Sequence, residues 1–309
     1  MSHLNLQPGQ TAVITGAASG FGLELARLGA QKGLNLVLTD VQQDALDKVV
    51  AELTAAGAQV AALRGDVSRG EDIQALADLC LERFGVPHIV INNAGVAYGG
   101  LIWEAGPRDW EWVLGVNLWG VIHGVRVFTP LMLAEARKNP AYQGHIVNVA
   151  SMAGMLNSPN LGVYNVSKHA VVSLSETLYQ DLALVTDQVH ASVLCPYFVP
   201  TGIHQSHRNR PAELRTDAKP TASQLIGQAM SAKAVTSGKV TAADTAALVF
   251  NAIEANQFYV YTHPKAIGMV QVRMEDVMQA RNPTDPFAGK PEIGEQLKTA
   301  LRDALAKED

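Results

Sequence analysis

The stretch Thr11-Ala12-Val13-Ile14-Thr15-Gly16-Ala17-Ala18-Ser19-Gly20-Phe21-Gly22 decides the fold. A short apolar run gives way to three glycines spaced GxxxGxG, and an apolar-periodic segment, Leu23–Gln31, follows. Strand, glycine turn and helix in that order make the opening of a βαβ unit. The glycines permit a tight turn and let a pyrophosphate approach the backbone closely. The start of the helix supplies free N–H groups and a partial positive charge. Gly16, Ser19, Gly20, Phe21 and Gly22 are therefore candidate dinucleotide contacts; the plainer reading is a sharp strand-to-helix connection.

Six further runs repeat the pattern: Asn35–Thr39, Gln59–Leu63, His88–Asn92, His145–Ala150, His190–Cys195 and Gln257–Tyr261. Several show almost no polar alternation, as expected of strands covered on both faces of a parallel sheet. Between them Gln43–Ala56, Glu71–Phe84, Trp110–Lys138 and Tyr164–Val185 carry apolar residues at helical spacing, with Pro130 the one internal proline. The expectation is an α/β fold in one domain over residues 1–309: a doubly wound, parallel, seven-stranded Rossmann-like sheet with helices on both faces. Two regions depart from the rhythm. Residues 201–239 are long and polar enough to predict a mobile substrate lid with a short helix near Ala222–Ala232. The tail over about 284–309 carries Ile293, Leu297, Leu301 and Leu305 at i, i+4 spacing, which fits a helix packed on the body or an arm across a subunit interface.

Asp40 ends the second run. A carboxylate there accepts hydrogen bonds from the adenosine ribose and repels a 2′-phosphate, and Val41, Gln42 and Gln43 offer no basic group, so the expected cofactor is NAD rather than NADP. Tyr164 and Lys168 stand at i, i+4 near the start of a helix and share one face. A free phenol has a pKa of about 10, so roughly one in a thousand is ionised at pH 7. A neighbouring ammonium favours the phenolate, which predicts a lowered pKa and a usable acid/base. Ser151 falls at the C-terminal end of the fifth run, where open α/β sheets bind ligands, and can donate to a substrate oxygen or simply cap a turn.

Together, Thr15–Gly22, Asn92-Asn93-Ala94-Gly95, Ser151, and Tyr164 with Lys168 resemble the short-chain dehydrogenase/reductase family, in its compact single-domain branch, over about residues 8–265. The resemblance implies an NAD(P)-dependent oxidoreductase acting on a CH–OH group. It further implies that Asn117 holds a water in a proton relay, that Asp66 and Val67 meet the adenine, and that Asn93, Ala94 and Gly95 line the cofactor. Pro196, Val199 and Thr201 match the segment passing the nicotinamide, with Tyr197 in place of the usual glycine. Lys168 would also bind the nicotinamide ribose.

The catalytic set expected is thus Asn117, Ser151, Tyr164 and Lys168. Tyr98, Met152, Met155, Leu156, Tyr197 and Phe198 fall near the pocket and suggest a bulky apolar or aromatic secondary alcohol. The competing reading is a catalytically silent, dinucleotide-binding regulator. His204 and His207 lie at i, i+3 beside Arg208 and Arg210 with no third ligand nearby, so no metal is expected and a solvated basic edge is the better reading. The tryptophans at 103, 110, 112 and 119 read as core or interface.

The chain of 309 residues has a formal charge of −5, with 48% hydrophobic and 17% charged residues. No basic block marks a nucleic-acid or anionic-membrane partner. Two cysteines, Cys80 and Cys195, cannot build a disulfide framework, and residues 1–10 lack a signal-peptide layout. With no uninterrupted apolar run of about 18 residues, a cytoplasmic protein is expected. The low charge and apolar tail suggest a homodimer or homotetramer.

Overall fold

The first strand, β1 (Thr11–Thr15), is buried along its whole length and pairs in parallel with β2 (Asn35–Asp40) and β4 (Ile89–Asn92). In the computed structural model, which describes residues 5–216 and 218–306, these strands are the centre of one parallel sheet. Its other members are β3 (Val60–Arg64), β5 (Gly144–Val149), β6 (Val189–Cys195) and β7 (Tyr259–Tyr261), and the order is β3-β2-β1-β4-β5-β6-β7. Every pairing is parallel. From β1 the chain winds outward to β3 and then returns to β4 on the other side. A crevice opens at the C-terminal ends of β1 and β4, where the winding reverses.

Side chains alternate across the sheet, so neighbouring residues of one strand serve different cores. Ile14, Leu36 and Leu38 pack on one face with Leu25 of α1 (Gly20–Gln31) and Phe250 of α8 (Ala242–Glu254). Val13, Val37 and Val90 pack on the other with Cys80 of α3 (Gly70–Phe84), Phe128 of α5 (Gly120–Lys138) and Leu178 of α6 (Gly162–Val185). A further helix, α2 (Gln43–Ala55), covers β2 and β3. The seven strands expected from sequence all form, with ends moved by up to two residues.

The long helix expected over Trp110–Lys138 is in fact three pieces. They are α4 (Pro107–Leu114), a π-helical turn (Gly115–Trp119) and α5. As one stretch, Pro107–Lys138 is 32 residues long, with a window of mean hydropathy 1.2, enough by length and composition to cross a bilayer. Counting uninterrupted apolar runs passes over it because Asn117, His123 and Arg126 break the run. In the fold α5 lies against α3 and β4.

The segment expected to be a lid is built rather than shapeless. A short 3₁₀ stretch (Gly202–Asn209), another at Ala212–Leu214, and α7 (Ala222–Thr236) occupy it. The tail forms α9 (Ile267–Met278) and α10 (Pro291–Leu305). Of the two readings of the tail, packing on the body is the one seen: α10 lies on α7 and buries Leu297. Residues 307–309 of the expected extension fall outside the described residues.

Candidate active site

The glycine turn is held by close contacts that exclude a side chain. Gly16 and Gly20 have φ of +64° and +56°, in the left-handed region that favours glycine. A Cβ on Gly22 would stand 2.1 Å from the Gly16 carbonyl oxygen and 2.7 Å from Asn93 Nδ2. That amide donates to the Thr15 and Gly16 carbonyls at 2.8 and 3.1 Å, while the Asn93 and Ala94 N–H groups donate to Thr15 Oγ1 at 3.0 and 3.1 Å. The loop after β4 is thereby clamped to the turn after β1. Gly22 itself does not line the cleft; its part is this packing.

The cleft measures about 610 Å³ and runs from Asp40 and Asp66, across Gly16, Ser19, Gly20 and Phe21, to Ser151 and Tyr164. Val67, Asn93, Ala94, Gly95, Pro196, Val199 and Thr201 also line it, so the expected cofactor contacts other than Gly22 converge here. Asp40 Oδ2 accepts from the Ala18 N–H and Oδ1 from the Gln42 N–H, both at 3.0 Å. The carboxylate is thus fixed at the cleft wall by the turn itself. Asp66 Oδ1 accepts from the Ser68 N–H at 2.9 Å and its hydroxyl at 2.7 Å. One expectation needs correcting: Asp40 does have a basic neighbour. Arg64 sits opposite it in the β2–β3 register, and its Nε donates to the Val41 carbonyl at 3.0 Å. The residues fit a dinucleotide: a bare-backbone turn at a helix start and a fixed carboxylate open onto one continuous cleft.

At the other end, Tyr164 and Lys168 project from the first turns of α6. Lys168 is buried, and its Nζ donates to the Val149 carbonyl at 2.9 Å. It lies 5.8 Å from the centre of the Tyr164 ring. Contrary to the sequence expectation, the phenol is not eased towards ionisation. Burial pushes its pKa up to about 12, against a smaller opposite pull from the Ser151 hydroxyl. Burial also lowers Lys168 to about 8. The Val149 carbonyl fixes the ammonium 5.8 Å from the ring centre, and desolvation is the largest influence on the phenol. Ser151 caps a 3₁₀ turn (Met152–Gly154): its Oγ accepts from the Ala153 N–H at 3.0 Å and donates to the Pro196 carbonyl at 3.4 Å.

Asn117 sits in the π turn, fully buried, and does not line the cleft. Its Oδ1 accepts from the Val96 N–H at 2.8 Å; its Nδ2 donates to the Val96 carbonyl and to Ser167 Oγ, both at 3.0 Å. The amide's partners are protein groups, so the side chain joins the post-β4 loop to α6. A Cβ on Gly95 would lie 3.4 Å from Asn117 Oδ1 and 3.5 Å from Lys168 Nζ. Replacement of the family's usual glycine by Tyr197 costs no backbone strain, since Tyr197 is not among the positive-φ residues. Its N–H donates to Thr262 Oγ1 at 3.0 Å and its ring lies 4.3 Å from that of Phe198.

Of the residues expected around a substrate, Tyr98, Met152, Leu156, Tyr197 and Phe198 line the cleft. Met155 does not; it packs partly buried against the cluster of Val121, Val171 and Val193. Segment 201–239 is folded down on the site. The Ala97 N–H donates to Ser206 Oγ at 2.9 Å, Gln224 Nε2 to the Tyr98 hydroxyl at 2.7 Å, and Arg210 Nη1 to Asp109 Oδ1 at 2.6 Å. Arg210 is thus a partly buried ion-pair partner and not part of a solvated edge. Trp112, read from sequence as core or interface, is buried in a cluster with Val96, Val113 and Val163 and borders the cleft.

The model of the short chain dehydrogenase family matches residues 10–212. The chain belongs to the short-chain dehydrogenase/reductase family and is an oxidoreductase acting on a CH–OH group. It is 33% identical over 270 residues to a CLA biosynthesis dehydrogenase/reductase of Lactiplantibacillus plantarum, covering 86% of this chain and 92% of that protein. It is 34% identical over 270 residues to the 1-deoxy-11-beta-hydroxypentalenate dehydrogenase of Streptomyces exfoliatus, covering 87% and 88%. The crystal structure of a short chain dehydrogenase/reductase from Burkholderia phymatum in complex with NAD superposes with a TM-score of 0.89 at 52% identity, covering 92% of this chain and 99% of that one.

Proposed function

We propose that the chain interconverts a secondary alcohol and its ketone with NAD as cofactor, on a bulky apolar or aromatic substrate. The observation that carries this reading is the meeting of Ser151 and Tyr164, with Lys168, in the same cleft as the glycine turn and Asp40. NAD, when bound, supplies the hydride exchange. Gly16, Ser19, Gly20, Phe21, Asp40, Asp66, Val67 and Asn93 to Gly95 would hold it, with Pro196, Val199 and Thr201 near the nicotinamide. The NAD found with the Burkholderia relative supports that choice. Tyr164 takes the hydroxyl proton in oxidation and returns it in reduction, Ser151 holds the substrate oxygen, and Lys168 keeps a charge beside the ring and reaches the ribose. Asn117 would hold the water that connects Lys168 to solvent. The intact Ser151, Tyr164 and Lys168 disfavour a silent regulator.

The test is absorbance at 340 nm with NAD and a panel of bulky secondary alcohols, run across pH. Oxidation needs the phenolate. Because burial places that pKa near 12, far above neutrality, the ionised fraction and the oxidation rate should climb about tenfold per pH unit from 6 to 8. Above about 8 Lys168 sheds its proton and the climb should flatten. Reduction uses the neutral phenol and should stay level from pH 6 to 8. An oxidation rate independent of pH would remove Tyr164 from the acid/base role, and no turnover on any alcohol would sink the assignment.

Asp40→Asn keeps an acceptor for the Ala18 N–H and removes the charge, leaving Arg64 beside the ribose end. The ratio of kcat/KM for NADP to that for NAD should rise roughly tenfold or more, the scale of a hydrogen bond to a charged group. An unchanged ratio would mean that Asp40 does not set the preference.

We assign the outer side of α5 and its neighbours to self-association. The long apolar stretch 107–138 is only 33% buried in its most apolar window. Light scattering should give a multiple of 33.0 kDa; a monomer mass at micromolar concentration contradicts this.

A further inference from the structure

We infer that Trp119 is an aromatic platform for the purine base of the cofactor, at the end of the cleft remote from the chemistry. This rests on the proposed reading of the cleft as a dinucleotide site. The pyrophosphate belongs at the glycine turn, where a helix start presents free N–H groups, and the adenosine ribose at the Asp40 carboxylate. The base then lies beyond Asp40, on the side away from Tyr164. The wall there is continuous: the Gly65 N–H donates to the Asp40 carbonyl at 3.2 Å, and Val41, Gly65, Asp66, Val67 and Ser68 line the cleft. Trp119 lines the same cleft.

Chain geometry puts the indole at that end. Gly115, Trp119 and His123 follow one another at i, i+4 and share one helix face. Two glycines let this stretch come close to the loop after β3. A Cβ on Gly115 would lie 3.3 Å from Ser68 Cβ, and one on Gly120 only 2.7 Å from Val67 Cγ2. One turn on, the His123 ring stands against the same loop, with Cε1 3.2 Å from where a Cβ of Gly70 would be. Gly115 and His123 thus bracket Trp119 beside residues 66–70. The His123 ring backs the indole, with the two ring centres 5.5 Å apart. Even so, Trp119 is 49% exposed, whereas Trp112, also at the cleft, is 3% exposed. A large apolar ring left half bare at a ligand cleft gains by being covered, and a purine offers it a flat π face of matching size.

The probe is ADP-ribose, which carries the base, both riboses and the pyrophosphate but no nicotinamide, so its binding is independent of hydride transfer. In the full chain its calorimetric Kd should rise at least about fivefold in Trp119→Ala, the lower end of base–aromatic stacking, and return to within about twofold in Trp119→Phe. ADP-ribose should quench tryptophan emission of the unmodified chain, and most of that quenching should vanish in Trp119→Phe although this variant still binds. An unchanged Kd in Trp119→Ala overturns the proposal; a smaller mass by light scattering in that case makes the indole a subunit contact instead. Quenching that survives intact in Trp119→Phe also overturns it. So does ADP-ribose binding with no quenching in the unmodified chain, a result that stands even if a variant does not fold. The two readings fail separately. Trp119-dependent binding of ADP-ribose with no alcohol turned over removes the carbinol chemistry alone, and turnover with a Trp119-independent Kd removes the base platform alone.

Discussion

Tyr164→Phe should lower kcat by about 10²–10⁴-fold, the range general acid/base groups contribute, while the Kd for NAD stays within about twofold. The ring packs as before, so the fold and the cofactor half of the cleft are undisturbed; only the transferable proton is lost. Tyr164, Ser151 and Lys168 meet at one end of the cleft, and the phenol is the group proposed to carry the substrate proton. The Ser151 hydroxyl is partly committed, donating to the Pro196 carbonyl at 3.4 Å. Single-turnover kinetics with a substrate found in the alcohol panel, beside a fluorescence titration of NAD, read the two quantities separately. Activity within a few fold of the parent assigns the proton to another group.

Gly22→Ala should cost about 3 kcal/mol or more of stability and abolish detectable NAD binding. The methyl group would be driven to 2.1 Å from a backbone carbonyl and 2.7 Å from the Asn93 amide, and neither can move without opening the clamp between the turns after β1 and β4. A control separates crowding from backbone conformation. Gly57 has φ of +88°, and a Cβ added there would meet nothing within 4 Å, so Gly57→Ala should cost only the left-handed penalty of about 1–2 kcal/mol and leave NAD binding intact. Denaturant melts and NAD titrations of both variants check this. Equal losses would mean that the contact at Gly22 relaxes and is not what holds the turn.

Contacts set by local chain geometry were open to sequence reading. The apolar runs of β1 to β6 announced themselves because strands covered on both faces need no polar alternation. The turn at Gly16–Gly22 was readable because a strand feeding a helix start needs glycine there. Tyr164 and Lys168 were paired by helical spacing alone. β7, with three residues and a half-exposed edge, carries less pattern, and its predicted start lay two residues early.

Tertiary structure decided whatever depends on residues remote in the chain or on burial. Arg64 reaches the Asp40 loop only because β3 pairs with β2 in a particular register. Arg210 left its expected basic edge because the 3₁₀ segment folds onto α4, where Asp109 takes its charge. Asn117 joins the loop after β4 to α6 because the π turn points its amide at Val96 and Ser167. The Tyr164 pKa moved opposite to expectation because spacing states which groups are near but not how much water surrounds them. Desolvation and the hydrogen bond that orients a charge are properties of the packed cleft, and they reverse what proximity alone implies.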